Sequence, residues 1–227
     1  MRCEVMQTAP GTTAAGRPGT ARSLARLLSC IRFDEVLVLQ GSPLIGAFFA
    51  IGTLTTEKAV HLSIFAAGSC CLVAHVFVLN DWAGSSADLK DPNRVAAAFS
   101  TKGIGRAQMR CLWMVLLALS LVLLSPFGWR TLGIALAIAG LSALYSAPAS
   151  HAKGVPLLNS ALHLVGGLLH FLLGYSLFSA VDGRGVEIGC FFALTFAAGH
   201  LTHEARDCEF DLLNGIRTNA VTFGRAR

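Results

Sequence analysis

The sequence predicts an all-α fold, a polytopic membrane helix bundle, and three observations carry that prediction. Charged residues make up 14% of the 227-residue chain and apolar residues 54%, against about 25% and about 45–50% in soluble domains. The apolar residues also fall in blocks: Val36–Thr56, Ala59–Leu79, Cys111–Gly128, Thr131–Ser150 and Val155–Val181 hold no Asp, Glu, Lys or Arg, and Ile188–His203 forms a shorter sixth. Roughly 20 mainly apolar residues cross a hydrocarbon core, so about six transmembrane helices are expected. The third observation is the distribution of the basic residues. With the N-terminus in the cytoplasm, the outer loops carry only Lys58, Arg130 and Arg184, and all other Lys and Arg fall on the inner side, which is the asymmetry of the positive-inside rule.

In chain order, residues 1–30 are rich in Thr, Ala, Gly and Arg and lack the apolar core of a secretory signal; they are expected to form a disordered, basic cytoplasmic tail ahead of one membrane domain, 31–227. The first helix is interrupted by Gln40, Ser42 and Pro43, residues that membrane helices tolerate where neighbours or a cavity satisfy the freed groups. Arg32 and Glu35 stand at its inner mouth, either as an interfacial anchor or as receivers of a polar ligand. The second helix runs into Asn80-Asp81-Trp82-Ala83-Gly84-Ser85-Ser86-Ala87-Asp88. A basic loop, Lys90–Arg110, follows it and is long enough to close over bound phosphate. Pro126-Phe127-Gly128 turns the third helix into the fourth, with Trp129 suited to the membrane interface. The fourth ends in Tyr145-Ser146-Ala147-Pro148 and reaches Lys153. In the fifth, His163 and His170 lie seven residues apart on one face and are expected to line a cavity or bond between helices, and Gly166 and Gly167 permit close helix approach. The sixth carries His200 and His203 into Glu204, Arg206, Asp207 and Asp211.

Other classes fit poorly. The net charge of +5 is accounted for by membrane orientation and by clustering around the acids, so no nucleic-acid partner is expected. The seven cysteines make no CxxC pair and mostly lie in the apolar runs, where cysteine is a packing residue; neither disulfides nor zinc are inferred.

The acids carry the chemistry. Glu204, Asp207 and Asp211 repeat the i, i+3, i+7 spacing of positions 81, 84 and 88, and on a helix this spacing puts all three on one face. Charges near membrane depth are costly, and two acidic clusters would repel each other with nothing between them. A divalent cation removes that conflict, and hard carboxylate and amide oxygens with no Cys or His at ligand spacing favour Mg²⁺. Magnesium held by few carboxylates takes substrate phosphate as further ligands. The nearby cations Arg94, Lys102, Lys153 and Arg206 would bind the remaining phosphate oxygens. One motif alone reads equally well as an interfacial cap; two of equal spacing on one side read as a site for a diphosphate with a hydrophobic tail.

At these residues the chain resembles the UbiA superfamily of intramembrane prenyltransferases. Asn80, Asp81 and Asp88 match the first motif NDxxDxxxD, and Asp207 and Asp211 match the second, DxxxD. Tyr145-Ser-Ala-Pro with Lys153 is similar to a third signature, and Gly215-Ile216-Arg217-Thr218 with Gly224 to the second-motif surroundings; the likeness covers about residues 31–224. It departs at Gly84, which takes the middle acidic position, and in helix number, since the family commonly has nine. The apparent lack of the C-terminal helices leaves an oligomer possible. The resemblance implies a helical bundle around a central cavity in which Mg²⁺ and an isoprenyl diphosphate bind. Asn80, Asp81, Asp88, Asp207 and Asp211 would hold the metal. Asn80, Arg94, Lys102, Lys153 and Arg206 would contact diphosphate, Tyr145 would steady the diphosphate or the carbocation, and Glu204 would act as ligand or proton acceptor. The activity implied is transfer of an isoprenyl group to an aromatic or other lipophilic acceptor, with terpene cyclisation or non-catalytic isoprenoid binding as alternatives.

Overall fold

The computed structural model describes residues 20–88, 95, 98–146 and 152–225; the side chains of 20, 21 and 86–88 lie outside the described set. The described residues form helices α1 (Thr20–Leu28), α2 (Phe33–Leu39), α3 (Gly41–Ile51), α4 (Thr56–Asp88), α5 (Arg106–Leu124), α6 (Trp129–Ser146), α7 (Leu158–Tyr175), α8 (Gly183–Leu213) and α9 (Asn219–Phe223), with short 3₁₀ turns at Ser125–Phe127 and Ala152–Gly154 and no strand among them. Six spans are long and apolar enough to cross a membrane, as the apolar blocks predict. The tail expected through residue 30 gives way to helix α1 at Thr20.

The differences from the apolar blocks lie at the ends. The first span is two helices, α2 and α3, meeting at Gln40, whose side-chain amide nitrogen Nε2 donates to the Val36 carbonyl at 3.1 Å. The second and sixth run well past their apolar blocks, α4 to Asp88 and α8 to Leu213. At 33 residues α4 is about 50 Å long, against about 30 Å of hydrocarbon. Both acidic motifs therefore sit on continuous helix at one end of the bundle, and the i, i+3, i+7 geometry is that of a regular helix.

In lipid, apolar burial gives helices little reason to associate, so close backbone contact and van der Waals packing take over. The tightest contact joins α3 to α7: a Cβ on Gly46 would lie 2.1 Å from the Phe171 carbonyl oxygen, and one on Gly174 would lie 1.7 Å from that of Pro43. Gly167 does the same for α7 and α8, where a Cβ would come 3.0 Å from the Ala193 Cα, whereas Gly166 has open space beside it and lines the cavity described below. Of the two glycines read as packing residues, one has that role. A second layer packs α4 on α5 through Val73, Ala74 and Val78 against Met109, Leu112 and Leu116. A third core, around Phe65, Leu72, Ala135, Ile138 and Leu173, ties α4 to α6 and α7.

Two chain reversals position the site. Helix α8 ends in a Schellman arrangement, with Gly215 at φ 68°, the Ile216 N–H on the Asp211 carbonyl at 2.8 Å and the Gly215 N–H on that of Leu212 at 3.1 Å. This turn requires the left-handed conformation that glycine adopts freely, and it sends α9 back against α8. At the start of α7, Leu157 also has positive φ, 64°, and its N–H is held by the Asn219 side-chain oxygen at 2.8 Å.

Candidate active site at the cavity mouth

A cavity of about 710 Å³ lies between α2, α4, α6, α7 and α8, within the range of small-molecule sites. Its walls are apolar in the interior, with Val38, Val73, Phe77, Ile138, Leu141, Leu162 and Phe196, and its mouth is charged, with Arg32, Glu35, Lys153, Arg206, Asp207 and Asp211. Several buried polar atoms along it have no partner among the described residues: Ser142 Oγ, Ser146 Oγ, Asn159 Oδ1, His170 Nδ1 and Thr218 Oγ1. Buried polar groups are almost always satisfied, and such a row along one cavity marks a surface built to meet a ligand or water.

Of the residues expected in the site, Asn80, Tyr145, Lys153, Glu204, Arg206, Asp207 and Asp211 all line this cavity. They come from α4, α6, α8 and the 3₁₀ turn before α7, so the site depends on the whole bundle. The side chain of Asp88, and Arg94 altogether, lie outside the described residues.

Two expected residues lie off the cavity wall, and a third lines it but is taken up within the fold. Asp81 is not on the cavity wall; Arg32 stands between, its Nε donating to Asp81 Oδ2 at 3.2 Å while Nη2 pairs with Oδ1, and it also reaches Glu35 at 3.3 Å. Burial alone would disfavour the charged guanidinium, but the Asp81 carboxylate, helped by Glu35, outweighs it and holds the Arg32 pKa above its ordinary value. Arg32, one of two readings at the sequence level, is thus a cavity residue as well as an ion-pair partner. Lys102 lies off the cavity: its ammonium donates to the Ser29 carbonyl at 2.6 Å and ties the basic loop to the α1–α2 turn. A diphosphate contact from Lys102 is not what this geometry presents.

Glu204 is the third. Its carboxylate is 4% exposed and accepts hydrogen bonds from Asn159 Nδ2 at 2.6 Å, the Asn219 N–H at 3.1 Å, Asn219 Nδ2 at 3.1 Å and His200 Nε2 at 3.0 Å. With so many donors, both oxygens are taken up within the fold. Glu204 joins α7, α8 and α9 rather than standing ready as metal ligand or base. Asn219, which sequence reasoning did not single out, completes the knot: it bonds Glu204, Leu157 and Ser160 Oγ, the last at 2.9 Å. No local pattern flags an asparagine just after a helix turn as such a hub.

The first motif is braced from behind. Trp82 packs on Trp113 with centroids 6.3 Å apart, Arg106 lies 4.7 Å over the Trp82 ring, and Arg106 Nη1 donates to Ser85 Oγ at 2.8 Å. The non-acidic residues of the motif thus fix α4 on α5 and turn Asn80 to the cavity. In the second motif, Arg206 Nε bonds Asp207 Oδ1 at 3.1 Å and its Nη2 donates to His203 Nδ1 at 3.0 Å.

Among the described residues no group of three or more His, Cys, Asp or Glu forms a metal cage. The oxygens of Asn80, Asp207 and Asp211 at one mouth, with cations beside them, are nevertheless a hard donor set of the kind that binds Mg²⁺ jointly with phosphate. They fit a metal that arrives with its anionic ligand.

The six candidate membrane spans thus enclose an apolar cavity with acids and bases at one mouth. Residues 42–227 match the sequence profile of the UbiA prenyltransferase family, and the chain belongs to that family. It is an integral membrane protein. It is similar to the structure of a UbiA homolog from Archaeoglobus fulgidus bound to DMAPP and Mg²⁺, with TM-score 0.76 and 20% identity over 88% of this chain and 70% of that one. The same homolog bound to GPP and Mg²⁺ aligns with TM-score 0.72 and 21% identity over 88% and 70%. A digeranylgeranylglyceryl phosphate synthase aligns with TM-score 0.69 and 20% identity over 90% and 70%. At these identities the likeness is one of fold. No functionally curated protein matches the chain in sequence.

Proposed function

We propose that the protein is a Mg²⁺-dependent intramembrane prenyltransferase that moves an isoprenyl group from a prenyl diphosphate to an aromatic or other lipophilic acceptor. One observation carries the reading: an apolar cavity of about 710 Å³ opens at a mouth where Asp207 and Asp211 stand beside Arg32, Lys153 and Arg206. That arrangement suits a ligand with an anionic head and an apolar tail. The solved relatives with this fold hold DMAPP or GPP with Mg²⁺, which supports the same pairing here.

In this reading Asp207, Asp211 and Asn80 would hold the metal, with Asp81 joining them if Arg32 yields it. Bound there, Mg²⁺ supplies Lewis-acid charge for the departing diphosphate. Lys153, Arg206 and Arg32 bind the remaining phosphate oxygens, as point charges and planar forks respectively. The Tyr145 ring and the apolar wall of Ile138, Leu141 and Phe196 line the space in which an allylic cation develops, and keep water from it. The clustering of basic residues on one side supports an N-terminus and an active-site mouth that face the cytoplasm.

Diphosphate release by the purified protein from geranyl, farnesyl or geranylgeranyl diphosphate tests the proposal. Release is expected to require Mg²⁺ and to vanish with chelator and in Asp207→Ala; folded protein that releases none under any of these conditions overturns it. Product analysis without an acceptor separates transfer from cyclisation, since only a cyclase would then make a hydrocarbon or terpene alcohol efficiently.

A further inference from the structure

Above the charged mouth, His163 of α7 and His200 of α8 stack face to face, with ring centroids 3.4 Å apart and an interplanar angle of 6°. Both rings line the cavity. Tyr145 presents its ring at 88° to His163 at 5.0 Å, and Phe196 lies nearly parallel to His163 at 6.0 Å. Two imidazoles in van der Waals contact inside a bundle are an expensive way to fill space that leucine would fill as well.

The partners of the two rings fix their tautomers. His163 Nδ1 is 2.9 Å from the Asn159 carbonyl oxygen, which can only accept, so Nδ1 carries the proton. His200 Nε2 is 3.0 Å from Glu204 Oε1, a carboxylate already accepting from two asparagines, so Nε2 carries the proton there. The lone pairs are left on His163 Nε2 and His200 Nδ1, which accept no hydrogen bond from any described residue. A second-site hydrogen bond setting the free nitrogen is the usual means of aiming a functional histidine. Here it leaves two acceptors, and no donor, on a cavity wall flanked by aromatic rings.

We infer that this pair is the acceptor-recognition and proton-accepting site of the transferase: it reads the hydroxyl group of a phenolic acceptor, with His163 Nε2 as the base. The inference rests on the transferase reading above. The phenol O–H bond breaks with its electron pair retained on oxygen and the proton moving to His163 Nε2. The ring carbon ortho or para to that oxygen bonds C1 of the prenyl group as the C1–O bond breaks and its pair leaves on diphosphate. The dienone so formed loses its ring proton to solvent and takes the proton back from His163 onto oxygen, for a net release of one proton. The Glu204 knot thereby gains a second consequence, since it orients His200 and, through Asn159, the backbone that holds His163.

Two arms test this. The first measures binding of 1-naphthol and of its methyl ether, 1-methoxynaphthalene, to the wild-type protein in nanodiscs by calorimetry, against empty nanodiscs and without prenyl diphosphate. The phenol is expected to bind about tenfold tighter than the ether, the worth of one net hydrogen bond, and His163→Phe, which keeps the stacked ring, is expected to abolish the difference. Equal binding of phenol and ether by the wild-type protein overturns the inference, even if His163→Phe does not fold. The second arm offers farnesyl diphosphate and 1-naphthol and compares prenyl groups delivered to the phenol with those lost to water. That ratio is expected to fall about a hundredfold in His163→Phe, in line with loss of a general base; an unchanged ratio overturns it. If the wild-type protein releases no diphosphate, the transferase reading fails by itself, and the calorimetric arm still decides the hydroxyl site.

Discussion

The ends of α4 and α8 carry acids or their positional counterparts at one spacing, yet the two ends are put to different use. At the end of α8, Asp207 and Asp211 line the cavity, while the first acid of the triplet, Glu204, is consumed by Asn159, Asn219 and His200. At the end of α4, the first acid, Asp81, is consumed by Arg32 and the middle position is Gly84. In both copies the acid deepest along the triplet is a tie within the fold; among the described side chains, the second motif then lines the cavity with two acids, Asp207 and Asp211, and the first with an amide, Asn80. Equal spacing guarantees a shared helix face; it does not guarantee a shared function.

The largest expected effect follows directly. Asp207→Ala should lower Mg²⁺-dependent diphosphate release about a thousandfold, the scale of removing a key charge-stabilising group, whereas Asp81→Ala should lower it only about tenfold. Steady-state release assays on both variants check this, and equal losses would break the comparison by making the two motifs equivalent partners.

Glu204 gives the next effect, in stability. Glu204→Ala leaves the buried Asn219 N–H without its acceptor and takes one acceptor each from the Asn159 and Asn219 amides, which keep the Lys153 carbonyl and Ser160 Oγ; a buried donor left unmet costs about 1–3 kcal/mol, so a loss of roughly 2–4 kcal/mol is expected. Glu204→Gln retains an acceptor oxygen and should lose less. Thermal unfolding in detergent would show this order, and a Glu204→Ala protein as stable as wild type, but inactive, would return Glu204 to the chemistry.

What was legible in the sequence follows from the range of the interactions. The six spans announce themselves because each needs a long run without charge, and the helix face of each motif follows from local spacing. The partners do not follow. Arg32 and Asp81 are 49 residues apart, Asn159 and Glu204 are 45 apart, and Lys102 meets Ser29 across 73; no periodicity encodes such pairings. Composition marks Lys102 and Lys153 alike as basic residues near an acidic motif, and only the packing of α1 against the loop draws the first away. The break at Gln40 was visible as a cluster of polar residues and proline, while the continuation of α4 and α8 through their charged ends was legible only in the helical spacing of the acids, because hydropathy stops where the lipid does and the helix does not.

Gly84→Asp sharpens the comparison by making the first triplet resemble the second. A carboxylate at 84 would share a face with Asp81, and glycine is itself a poor helix residue, so the change should fold. We expect Mg²⁺ affinity in the presence of farnesyl diphosphate to rise about tenfold, as measured by titration of release rate against Mg²⁺. No change would mean that the first motif is held away from the metal by something other than its missing acid.

Arg32 is the candidate for that something, and it carries the smallest effect. Its guanidinium is about a third exposed and Asp81 less so, so the ion pair is screened on one side and worth about 1 kcal/mol or less. A metal that recruits Asp81 must displace Arg32 and overcome that amount, which corresponds to about a fivefold change in affinity. Arg32→Gln should therefore strengthen Mg²⁺ binding by up to about fivefold in a calorimetric titration without substrate, where the loss of a phosphate contact cannot mask it. With prenyl diphosphate present the same variant should bind the substrate more weakly, since Arg32 lines the cavity mouth. Opposite signs in the two titrations would identify Arg32 as a cation that holds the place of the metal until the diphosphate arrives to share it; the same sign in both would leave it as an anchor for α4 alone.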